Sequence, residues 1–405
     1  MSFPQFMSLT PELQEQVADH CQAHELLALA RTCSSLHVVA LRALYFDVDI
    51  SVHNLPGSFP STRNTVDILA ENPHAELGYK TQECLKRQDM FVESLKSHPS
   101  YGQWVVRLTW TYIVRWDEDT GESVSDEPLW EALKLLSMVR YLDVASIACQ
   151  RELVPPPPLF PRAKHIRLVG QMSFAFVRAI LLSSDPTNFV SLDLDNLQDF
   201  GQFHGGDFVT GAYLSSIPEL EDDQGNPTVR HPGTMRGHLL RLQGRCTNLR
   251  RLILRSVGND EADDERWSPK LDEERYNEWA TFLNSVSLTL EYLTIEQGLE
   301  PNPTNVVHCR PQECQYGRPM DIRFLEHFLP SLSTNFWPRL RQASVYGIGS
   351  LPRSHLRNYA TIEPDLVRRV SEDLSTRLGP LVLLDVQQSA TKTFFYRDDG
   401  VMYHT

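Results

Sequence analysis

From Trp104 onward the chain repeats one short unit, and that unit constrains the fold more than any other feature. It has apolar residues at i, i+3 and i+5. The eight copies read VVRLTW (105–110), VRYLDV (139–144), AKHIRL (163–168), FVSLDL (189–194), LRRLIL (249–254), LEYLTI (290–295), LRQASV (340–345) and LVLLDV (381–386). The later positions of each copy alternate as a half-buried strand does. Helix-like segments precede most copies. EPLWEALKLLSM stands before the second, MSFAFVRAILLSS before the fourth and MRGHLLRLQGRC before the fifth. YNEWATFLNSVS, IRFLEHFLPSLS and PDLVRRVSEDLSTRL precede the last three. Helix, tight turn, strand, repeated, means parallel strands joined by helices, an α/β fold.

Two architectures accommodate such an array, a closed eight-stranded barrel and an open solenoid. The strand centres fall at Leu108, Leu142, Ile166, Leu192, Leu252, Leu293, Ala343 and Leu384. Their steps run from 24 residues (Leu142 to Ile166) to 60 (Leu192 to Leu252), which a barrel also tolerates. The residue pattern separates the two. L-x-x-L-x-L resembles the strand signature of leucine-rich repeats, most closely in LRRLIL and LEYLTI. The Asn that often follows is absent, so the resemblance implies an irregular solenoid over 104–405. Insertions rich in Gly, Pro, Asp and Asn interrupt it near 199–234, 256–270 and 297–319, and PPPP (155–158) is a rigid spacer. In such a solenoid the pattern leucines point inward and the residues between them line the concave face. That assigns target contacts to Arg107, Tyr141, Asp143, Arg167, Asp193, Asp195, Arg251, Arg255, Tyr292, Glu296 and Tyr346, with Thr109, His165 and Asp385 on the same face. Tyr and Arg are the types enriched at interfaces.

The front of the chain is different. Residues 9–44 read as three short helices. Pro11 suits a first helical turn with Thr10 or Ser8 as cap, and Leu13, Val17 and Cys21 fall on one stripe. Leu26, Leu27 and Leu29 lie in the second helix; Leu36, Val39, Ala40 and Leu44 lie in the third. YFDVDISV (45–52) then switches to strand alternation. Residues 47–103 read as linker and helical lead-in, with an amphipathic helix at 82–97. A 40-residue trihelix is too small to hide that many apolar side chains, so a partner surface is the expected cover. The competing expectation is that it caps the end of the array.

This stretch resembles the F-box, the three-helix motif that binds the Skp-type adaptor of cullin-RING ubiquitin ligases. Leu9, Pro11, Glu12, Leu13 and Val17 match its first helix, Leu26, Leu27 and Leu29 its second, and Cys33 the start of its third. Thr10, Cys21, Thr32 and Leu36 depart from it, Leu36 standing where Trp is common. RALYFDVDI resembles the exit of many fungal F-box proteins. The resemblance implies adaptor contacts through Leu9, Pro11, Leu13, Val17, Leu26, Leu27, Leu29, Cys33 and Leu36. It also implies a target held by the repeats, as the substrate-recognition subunit of such a ligase. A leucine-rich scaffold outside any ligase is the alternative.

Little points to chemistry. G-x-S-x-G, P-loop and H-E-x-x-H patterns are absent. Asp199-Phe200-Gly201 lacks the other kinase signatures, and HGGDF (204–208) opens no helix after a strand. His308-Cys309 with Cys314 lacks a second ligand pair for zinc. As a barrel the chain would instead carry carboxylates Asp143, Asp193, Asp195 and Asp385 at the strand ends. The expectation is a non-enzyme without cofactor or metal. The formal charge of -14 argues against a general nucleic-acid binder. Apolar runs are too short for a membrane helix. MSFPQFMSLTPEL lacks the features of a signal peptide and the seven cysteines are scattered, so an intracellular, reducing location is expected.

Overall fold

The computed structural model describes residues 6, 8–51, 73–113, 125–147, 154, 156–199, 220–221, 227–228, 233–256, 269–297, 321, 323–348, 365–387, 394–396 and 402–404. The insertions expected near 199–234, 256–270 and 297–319, and with them Cys309 and Cys314, lie almost wholly outside those residues.

Three helices open the chain: α1 (Pro11–Ala18), α2 (Ala23–Ala30) and α3 (Ser34–Phe46). Pro11 starts α1 and Glu12 sits in its first turn, where the dipole favours an anion. The Gln22 N–H ahead of α2 donates to the Glu25 carboxylate at 2.7 Å. Their shared core is small: Ala18, Leu26, Val39 and Ala40, flanked by Cys21, Leu29, Ala30, Ala43 and Leu44. α3 runs two residues beyond the expected break and passes without a loop into β1 (Asp47–Ile50).

Nine strands then form one sheet. They are β1, β2 (Arg107–Tyr112), β3 (Tyr141–Ile147), β4 (His165–Gln171), β5 (Ser191–Asp199), β6 (Arg251–Ser256), β7 (Tyr292–Gln297), β8 (Gln342–Tyr346) and β9 (Leu383–Gln387). Spatial order equals chain order and every pair is parallel. A two-residue strand, Gly233–Thr234, adds antiparallel to the end of β5. β1 and β9 are the two edges and do not pair among the described residues, so the closed-barrel alternative fails. β1, assigned by sequence to the lead-in, is part of the sheet.

The register is that of the repeat. Val48, Leu108, Leu142, Ile166, Leu192, Leu252, Leu293, Ala343 and Leu384 stand side by side across the nine strands. Two residues on, Ile50, Trp110, Val144, Leu168, Leu194, Leu254, Ile295, Val345 and Val386 make a second row on the same face. Except at the edge positions Val48, Leu384 and Val386, these residues are buried. Each buried aliphatic side chain contributes about 2 kcal/mol. They share one continuous core with α4 (Pro73–Ser97), α5 (Glu127–Lys134), α6 (Phe174–Leu181), α7 (Pro269–Val286), α8 (Leu329–Thr334) and α9 (Leu366–Leu378). The helices therefore cover one face, and the other is free of them for the described residues.

One helix expectation needs correction, and a second helix is irregular. MRGHLLRLQGRC forms just a 3₁₀ turn at Leu240–Leu242, because Gly237 and Gly244 on either side adopt positive φ (82° and 70°). The carboxylate of Glu278 from α7 holds this segment, accepting from the N–H groups of Gly237 and Leu239 at 2.5 and 2.6 Å. In IRFLEHFLPSLS, Pro330 has no N–H to bond back along the helix. A π turn at Phe324–Phe328 precedes α8 there.

Candidate functional site

Two surfaces carry the sequence-assigned residues. The first is the trihelix. Leu13 and Leu27 are 44% and 45% exposed, and Val38 on α3 is 43% exposed. Pro11 is exposed, whereas Leu9, Val17, Leu29 and Cys33 are half-buried. Leu26 (5%) and Leu36 (0%) are buried in the lone chain. Both were assigned as adaptor contacts, and both are corrected here to interior positions. Helical stripe position separates the two adjacent leucines of α2: Leu26 turns toward Ala18, Val39 and Ala40, while Leu27 turns about 100° away. Cys33 precedes α3, with its sulfur 3.2 Å from Ser35 Oγ. That hydrogen bond, with backbone N–H groups, lowers its thiol pKa. The trihelix is anchored through Tyr45, whose ring lies 4.9 Å from Tyr101 and 6.5 Å from Phe91 and whose hydroxyl bonds Ser94. Arg42 pairs with Glu15 at 3.0 Å and lies over the Trp104 ring.

The second surface is the helix-free sheet face. The period-two alternation that buries the leucines puts all eleven sequence-assigned target residues on it, in three rows. The first row runs Arg107, Tyr141, His165, Ser191, Arg251, Tyr292 from β2 to β7. Arg107 lies 4.8 Å above the Tyr141 ring, which stacks on His165 at 4.4 Å. Arg107, Tyr141, Arg251 and Tyr292 are exposed. Burial first, then Lys164 and Arg107, hold the His165 imidazole below its usual pKa.

The second and third rows form an ion network. Nη1 of Arg167 lies 3.1 Å from both Asp143 oxygens. The same guanidinium reaches Asp193 at 3.6 Å and Asp195 at 3.5 Å. Arg255 reaches Asp193 at 3.1 Å, Asp195 at 3.3 Å and Glu296 at 2.9 Å. Burial opposes both guanidinium charges, but the carboxylates outweigh it and raise both pKa values. Asp195 and Glu296 are fully buried. They were assigned to target contact; they lie on the expected face but are buried, Asp195 within reach of both arginines and Glu296 of Arg255. Beside the network Tyr346 donates to Asp385 at 2.6 Å. Two guanidiniums spread over four carboxylates tie β3 to β7. Among the described residues no His, Cys, Asp or Glu group is arranged to hold a metal, and no helix is long and apolar enough to cross a membrane.

The sequence reading missed one set of residues. Arg140, Lys164, Arg250 and Arg341 each stand directly before a strand and are exposed. The signal was present, a basic residue at the second position of four of the eight copies: VRYLDV, AKHIRL, LRRLIL and LRQASV. Comparison with known protein families and with curated proteins finds no match for this chain.

Proposed function

We propose that the chain is a non-catalytic recognition subunit of a Skp–cullin–F-box type ubiquitin ligase. The trihelix docks the Skp-type adaptor, and the sheet face holds a target protein. The observation that carries the reading is the trihelix surface. A three-helix unit with its own small core exposes Leu13, Leu27 and Val38 while it is bound through Tyr45 to a long, regular sheet. Such apolar exposure, rimmed by polar residues, is what a partner surface covers. On the other part, a parallel sheet in chain order with a leucine-rich-like register presents Arg and Tyr side chains on a helix-free face. The rate gain comes from raised effective concentration of a target lysine near a charged conjugating enzyme, without bond chemistry in this chain.

Co-purification with a Skp-type adaptor tests it. Leu13→Asp together with Leu27→Asp abolishes retention while leaving the melting temperature within about 2 °C, since both side chains are exposed. Leu26→Asp is unsuitable because it unfolds the unit. An unmutated chain that retains no adaptor rejects the reading and favours a leucine-rich scaffold outside any ligase.

A further inference from the structure

Cations line up along the edge where the strands begin. Arg107 opens β2, Arg140 precedes β3, Lys164 precedes β4, and Arg250 and Arg251 stand at the start of β6. The parallel register brings them together. The Arg140 N–H donates to the Val106 carbonyl at 2.8 Å and that of Lys164 to Arg140 at 2.9 Å. Val190 donates to Lys164 at 2.8 Å, and Arg250 to Val190 at 2.9 Å. Arg107 to Arg251 spans four steps of ~4.8 Å, roughly 19 Å, the length of about six extended residues. All five cations are exposed. Among the described residues Arg140, Lys164 and Arg251 pair with no carboxylate within 4.0 Å. Acid bounds the row at its ends. Asp47 sits beside Arg107 in register, and Glu291 lies 3.8 Å from Arg250 and 3.5 Å from Arg341.

This edge contrasts with a chain of net charge -14. That overall charge opposes a long polyanion or an anionic membrane surface, which meet the field of the whole chain. A short acidic peptide meets the cationic row alone. Tyr141, 41% exposed between Arg107 and His165, adds an aromatic surface to the same row.

We propose that the strand-start edge from β2 to β6 docks a short Asp- and Glu-rich segment of a partner protein through Arg107, Arg140, Lys164 and Arg251. The proposal rests on the sheet being the target-binding part of the reading above and does not require adaptor docking. Fluorescence anisotropy of the full chain with a labelled Asp/Glu/Tyr peptide of about ten residues tests it. The peptide binds, weakens as salt rises from ~0.05 to ~0.5 M, and an equal-length Ser/Gly peptide does not bind. Arg140→Glu with Lys164→Glu and Arg251→Glu weakens binding at least about tenfold at unchanged melting temperature. The milder pair Arg140→Gln with Lys164→Gln, which keeps the fold in any case, weakens it about threefold. Undiminished binding by these variants, or no binding of the acidic peptide, overturns the proposal. So does tighter binding of a single-stranded oligonucleotide or of anionic phospholipid vesicles. A chain that binds the peptide without the adaptor keeps this inference and loses the ligase; one that retains the adaptor and ignores the peptide does the reverse.

Discussion

The trihelix and the sheet solve the problem of burying leucine in opposite ways. Across the sheet, the same two positions of each unit stack into continuous rows, and one helix layer covers both rows along the array. Each side chain has neighbours on both sides, so the interior grows with every unit. The trihelix has no such continuation. Its core holds four buried residues, and Leu13, Leu27 and Val38 are left outside. The sheet is thus stable through repetition, whereas the trihelix has surplus apolar surface that its own size prevents it from covering. The polar faces differ as well. The second and third rows on the sheet face satisfy their charges internally, while the strand-start edge leaves its cations to solvent.

The contrast is breakable by mutation. The largest effect is expected at Trp110, which is fully buried and donates to Gln88 at 2.7 Å. Trp110→Ala opens a cavity and strands that amide, lowering unfolding free energy by about 4 kcal/mol in a denaturant titration. Next is Arg255→Met, which takes this guanidinium away from the buried carboxylates Asp195 and Glu296 on the two flanking strands, at a cost of about 3 kcal/mol. Adding Glu296→Gln restores part of it; full additivity in that double-mutant cycle refutes the shared network. In the trihelix the adjacent pair is diagnostic. Leu26→Ala costs about 2 kcal/mol, and Leu27→Ala stays within about 0.5 kcal/mol. Equal losses at the two positions contradict the described facing.

The smallest effect is electrostatic. The folded pKa of His165 lies below the unfolded value near 6.5, so the unfolded chain takes up its proton first as pH falls. That stability contribution is whole above pH about 6.5 and is lost between this value and the depressed folded pKa. In an NMR titration, Lys164→Gln moves the His165 pKa upward; an unmoved value denies the positive field at the strand-start edge.

Local pattern carried much of this fold. The L-x-x-L-x-L copies identified all eight central residues that align across β2 to β9, because a two-residue period puts alternate side chains on opposite faces of any strand. The same period placed the ionic residues on one face. The helix–strand boundary at Phe46 and the failed helix before β6 escaped it: the first is a packing choice at Tyr45, and the second depends on Glu278, some 40 residues away. The basic second position was legible in four copies, but its meaning required knowing that their strands lie in register in one parallel sheet.

Sequence alone determined the α/β class, the strand register and the three N-terminal helices, since each follows from periodicity within a few residues. Tertiary structure decided which leucines of the trihelix face inward, which carboxylates are buried while paired with Arg167 and Arg255, and that the two edge strands do not pair among the described residues. Those outcomes depend on contacts between residues far apart in the chain, where burial and charge pairing are settled by neighbours that no local pattern specifies.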